Sequence, residues 1–135
     1  MSEKINWTLS AQVVGGPKIS VAKTTEVEAY DKIHIEIAPG AVKTKVDIQP
    51  SEGSGQVTFL LINADKYGDK LSYQVNADDA SDVIMDGPHF LIGKGAAGLL
   101  DPANAPHALF FSNATEANGG AITAVDILVG RDATP

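Results

Sequence analysis

The chain has 135 residues, 44% of them hydrophobic and 20% charged, and carries a formal net charge of −7. That length supports one domain with a core of its own, and the composition is that of a folded chain rather than a disordered one. There is no cysteine, which excludes disulfides, thiolate metal sites and cysteine nucleophiles.

The charge is unevenly placed. Residues 1–70 carry eight lysines against nine acids, whereas residues 71–135 carry Lys94 and Arg131 against eight acids, nets of −1 and −6. Binding to nucleic acid or to an anionic membrane surface requires a basic excess that this chain lacks, so neither partner is expected. No apolar run approaches the roughly 20 residues of a membrane span. Residues 1–6 hold no apolar segment of a signal peptide, and the expected setting is soluble and cytoplasmic.

Residues 1–135 read as a single β domain. Apolar residues alternate with polar ones in residues 5–14 (Ile5, Trp7, Leu9, Ala11, Val13) until Gly15-Gly16-Pro17 breaks the run. A longer Thr-rich strand is expected over 19–29, then a turn at Tyr30-Asp31. In Lys32-Ile33-His34-Ile35-Glu36-Ile37 the three isoleucines share one face and His34 and Glu36 the other. After Pro39-Gly40, Val42, Thr44, Val46 and Ile48 alternate again. Further strands are expected over 57–62, 71–75, 83–85, 90–92, 109–111 and 121–129. Roughly nine or ten short strands at this spacing predict an antiparallel β-sandwich of jelly-roll type, with a β-barrel as the alternative. Only residues 94–100 have helical composition, and Pro102 limits them to about two turns.

Two strands lack clean alternation. Residues 57–62 are apolar on both faces. In 121–129 one face carries Thr123, Val125, Ile127 and Val129, and the other Ile122, Ala124 and Leu128 around Asp126. A strand apolar on both faces needs cover on both. Either the loop 93–106 or a second subunit is expected to provide it. Val125, Ile127 and Val129 are therefore candidate interface residues. Arg131, the only arginine, joins them, either in a surface pair with Asp132 or Asp126 or in an inter-subunit pair.

Motifs for chemistry are weak. Gly93-Lys94-Gly95-Ala96-Ala97-Gly98 has the glycine spacing of a dinucleotide-binding turn, but Pro102 stops the helix and the flanks are antiparallel in character. A tight packing loop, with Leu99 and Leu100 turned inward, is expected instead. Asp78, Asp79, Asp82 and Asp86, with His89 nearby, form the densest acidic cluster, suited to a small ligand or Ca²⁺ yet outside any EF-hand frame. His34, His89 and His107 have no short metal-ligand spacing, and neither a resident metal nor a cofactor is expected. The leading expectation is a non-catalytic structural or interaction module that forms a homo-oligomer through apolar strand faces. A ligand-binding or Ca²⁺-binding module at 76–86 is the second reading, and an enzyme with a histidine/carboxylate site the third.

Overall fold

A computed structural model describes residues 3–48, 56–68, 70–101, 106–114 and 122–132. The strands are β1 (Glu3–Gln12), β2 (Lys18–Val27), β3 (Ala29–Ile37), β4 (Thr44–Asp47), β5 (Gln56–Ala64), β6 (Leu71–Val75), β7 (Val83–Ile84), β8 (His89–Ile92), β9 (Ala108–Asn113) and β10 (Thr123–Asp132), with one helical turn, α1 (Lys94–Ala97), after β8.

Two four-stranded sheets, ordered β3-β10-β5-β8 and β4-β9-β6-β7, face each other, and β1 and β2 form a separate hairpin. Every pairing is antiparallel. The pairs β3·β10, β4·β9, β5·β8 and β6·β7 are nested, as if one long ribbon had been folded over so that successive pairs fall in opposite sheets. That topology is a jelly roll, a sandwich with open sheet edges rather than the alternative closed barrel.

The inner faces follow the period-two reading. Ile37, Leu60, Ile62, Val125, Ile127 and Val129 meet Val46, Leu71, Tyr73, Val75, Leu109 and Phe111 in one buried cluster, with Ile33 and Ile35 packed against it. Asn113, buried on β9, ties the layers together by donating from Nδ2 to the Ile37 carbonyl at 3.1 Å, so its amide is not left unsatisfied between the sheets. Trimming Ile127 to Ala removes a fully buried side chain from the central strand.

Three local expectations change. Strand β4 starts at Thr44 instead of Val42, because Gly40 (φ 80°) and Lys43 (φ 55°) both take left-handed backbone and interrupt the strand. Tyr30 and Asp31 lie inside β3; the break falls at Glu28, whose N–H donates to the Arg131 carbonyl. The helical stretch is a single turn that ends in short i→i+3 bonds from Leu99 and Leu100. Leu100 packs on the core, but Leu99 is exposed.

Part of the second apolar face of β5 and β10 is covered by the base of the β1–β2 hairpin. On the outside of the β3-β10-β5-β8 sheet, Phe59 stacks edge-on against Phe90 at 5.3 Å, and Phe90 against Trp7 of β1 at 5.6 Å. Gly130 makes room for this. A Cβ built there would lie 2.7 Å from Val27 Cγ1, 3.1 Å from Ile5 Cδ1 and 3.3 Å from Phe59 Cβ. The base of the β1–β2 hairpin therefore seats on β10 because β10 lacks a side chain at that point, the close approach an isolated strand glycine signals.

Two stability predictions follow from this packing. Ile127→Ala is expected to lower unfolding free energy by about 2–5 kcal/mol. Gly130→Ala is expected to cost about 1–3 kcal/mol, since Val27 is β-branched and cannot swing clear. Urea denaturation measures both. The fluorescence of Trp7, the single tryptophan, should also shift to the red in Gly130→Ala as the hairpin base lifts.

Candidate interaction surface

The hairpin is built for two environments. Its register pairs Ile5 with Thr25, Trp7 with Lys23, Leu9 with Val21 and Ala11 with Ile19, and these pairs share one face. Asn6, Thr24, Thr8, Ser10, Ser20, Gln12 and Lys18 form the polar reverse. Cross-strand bonds brace the base: Trp7 Nε1 donates to Thr25 Oγ1 at 2.9 Å, and Thr24 Oγ1 to Asn6 Oδ1 at 2.6 Å. The turn closes with Gly16 N donating to Val13 O, and Gly15 takes the positive φ of 74° that the third position of a type II turn demands.

Among the described residues, only the base of the hairpin packs on the sandwich. Every residue over 8–20 is exposed. Leu9 is 49% exposed, Val13 64%, Ile19 71% and Val14 99%. At the rise of an extended strand, the five residues from Thr8 to the end of β1 carry the arm about 17 Å past Trp7. The apolar stripe continues along that length with none of the described residues covering it.

Part of the sheet's outer face is also open among the described residues. Beyond the part covered by the hairpin, the outer face of β3-β10-β5 presents half-buried Leu128 and Leu61 beside a polar row. In that row His34 Nδ1 lies 2.7 Å from Asp126 Oδ1, and the Tyr67 hydroxyl donates to Asn63 Oδ1. At the end of the strand Ala124 N donates to Asp65 Oδ1, the largest of several contacts that hold the Asp65 carboxyl below its usual range.

The sequence-derived candidates fall in separate places. Val125, Ile127 and Val129, expected at an interface, are fully buried in the core of the single chain. Arg131 pairs in-chain with Asp31 at 2.7 Å, across the β10·β3 ladder rather than with Asp132 or Asp126. Asp78, Asp79, Asp82 and Asp86 are exposed around β7. His89 is instead half-buried between the sheets, where its Nδ1 lies 2.6 Å from the Tyr73 hydroxyl. His107 precedes β9, and its backbone N–H donates to Asn76 Oδ1. The three histidines thus stand in three different settings. Among the described residues no three His, Asp or Glu side chains are grouped to hold a metal ion. No helix among them is long and apolar enough to cross a membrane.

The part that sequence reasoning missed is the exposed half of the hairpin. Its alternation is plain in Ile5-Trp7-Leu9-Ala11-Val13, but alternation does not say which apolar residues have a sheet to lie on. Comparison with protein-family models, with curated proteins and with solved structures gave no match.

The Tyr73–His89 contact gives a pH dependence. Burial raises the phenol of Tyr73 well above its usual range, so the hydroxyl keeps its proton beside His89 Nδ1. Burial also lowers the imidazole pKa, against weaker opposing effects of Asp86 and the Ile84 backbone. A histidine with a lowered folded pKa leaves stability unchanged above the unfolded value; as pH falls below it, the unfolded chain binds the proton first and stability drops. The wild type should therefore lose more melting temperature than His89→Gln between about pH 7 and about pH 5, as differential scanning calorimetry would show.

Proposed function

We propose that this protein is a non-catalytic structural module that self-associates, with the β1–β2 hairpin as its docking arm. The observation that carries this reading is the exposed distal stripe of Leu9, Val13 and Ile19. A lone two-stranded hairpin is marginal in water. Each large aliphatic side chain left exposed forgoes about 1.5–3 kcal/mol of burial. An arm whose outer half packs on none of the described residues gains stability when a second molecule covers it.

The partner on this reading is another copy, so the assembly is a homo-oligomer. The net charge of −7 and the acidic C-terminal half argue against nucleic acid. The absence of cysteine suits a reducing, cytoplasmic setting.

Light scattering over a dilution series tests the proposal. The expected result is a stable multiple of the 14.1 kDa chain mass. Replacing both Leu9 and Ile19 by Asp should weaken association about 100-fold or more, with the far-ultraviolet circular dichroism of the sandwich unchanged. A wild-type monomer at every concentration would remove the reading.

A further inference from the structure

We infer that the free edge of β3 pairs antiparallel with the same edge of a second copy, about a two-fold axis that passes His34. The partner is again this chain, but the surface is not the arm, and the contact stands without it. Strand β3 ends its sheet, and among the described residues no strand pairs with its outer side. Its nine residues, Ala29–Ile37, keep an unbroken register against β10 and include no proline. The other sandwich edges are shorter, with four residues each in β4 and β8 and two in β7. A long unpaired edge is a template for another strand.

Charge ordinarily blunts such an edge, and β3 exposes Lys32, His34 and Glu36 on one face. Their order decides what they do here. The lysine and the glutamate stand at equal distances on either side of His34. In antiparallel pairing about His34, Lys32 faces Glu36 of the second copy and Glu36 faces its Lys32, so both contacts are attractive. Sliding the pairing by two residues loses both matches, with Lys32 or Glu36 meeting His34 of the second copy instead. A slide by one sets side chains of opposite faces against each other. Within its own chain neither Lys32 nor Glu36 has an ion-pair partner among the described residues. His34 does not crowd the axis, because its ring turns back over the sheet to Asp126 at 2.7 Å.

The inner side adds apolar contact. Ile33 and Ile35 pack against the core yet stay half-buried, whereas Ile37 is fully buried. The same pairing sets Ile33 against Ile35 of the second copy and Ile35 against its Ile33, which removes apolar area at the sandwich rim from water. Main-chain hydrogen bonds then join two four-stranded sheets into one.

The chain has no cysteine, so one introduced thiol reports the register. With His34 at the axis, its two copies have Cα atoms about 4.5–5.5 Å apart, within the span of a disulfide. Two copies of residue 32 stand roughly 13 Å apart along the strands. His34→Cys and Lys32→Cys are each made in a chain that also carries Leu9→Asp and Ile19→Asp, so that the arm holds no copies together. Each is oxidised with copper phenanthroline at the concentration where light scattering gives the wild-type oligomer. The expected result is disulfide-linked dimer from His34→Cys and little from Lys32→Cys. In the same background without thiols, Lys32→Glu and Glu36→Lys should each weaken the dimer about tenfold, with far-ultraviolet circular dichroism unchanged. Mixing the two should restore it, since only the mixed dimer has opposite charges at both contacts. Equal disulfide yields from both thiols, or no recovery on mixing, would overturn the inference. A wild-type oligomer that falls to unlinked monomer once the arm is altered would overturn it too, and leave the arm reading standing. A wild-type monomer at every concentration would remove both.

Discussion

Strand β10 is bound along both edges, to β3 over Thr123 to Arg131 and to β5 over Val125 to Asp132, and the rest of the molecule is arranged around that double pairing. Its inner side chains, Val125, Ile127 and Val129, sit at the centre of the core. Its outer side ends in Gly130, where the ladder to β5 also shifts register. A bulge with an adjacent glycine bends the strand and lets another backbone approach. The hairpin takes that place. Arg131 then returns to Asp31 on β3, fixing the sheet edge from which the hairpin departs. The same ten residues therefore hold the sandwich together and give the arm its seat.

From that seat the arm divides into two energetic regimes. Near the body, Trp7 and Val27 are anchored by aromatic edges and close packing. Farther out, the same face carries aliphatic side chains into solvent. Both edges of the two-stranded ribbon are also unpaired among the described residues, a feature natural sheets tend to suppress with charge or short length. Here Lys18 and Lys23 provide some protection while leaving the apolar face intact. Reach and exposed apolar surface together set the outer half of the hairpin apart from the rest of the described structure.

The sandwich was legible in the sequence because its strands obey a local rule. Ile33, Ile35 and Ile37 point to one side, as do Val125, Ile127 and Val129, and no distant information is needed to see it. The excess apolarity of β5 and β10 was legible too, as a demand for a second cover. What covers it was not, because the contact of Trp7 with Phe90 links distant parts of the chain and no periodicity encodes it. Gly130, a lone glycine in an otherwise apolar strand, is the one local sign of a close approach. Arg131 teaches the same lesson: its neighbours in sequence, Asp126 and Asp132, were the natural partners to consider, yet the ladder delivers Asp31, 100 positions away. The acidic residues near β7 and the three histidines are visible as residue types, but whether such side chains gather is a tertiary property that the pattern leaves open.

The nested topology also sets a timetable for synthesis. The hairpin and β3 emerge early from the ribosome, whereas β10, which must lie between β3 and β5, is the last of the ten strands to appear. Until it arrives, β3 and β5 have no shared partner, their inner faces are uncovered, and the site around Gly130 where the hairpin rests does not exist. Long-range pairing of this kind folds slowly, and unpaired strand edges on a nascent chain are prone to stray pairing. Each chain thus displays the exposed half of its hairpin before the sheet that seats the base of that hairpin is finished.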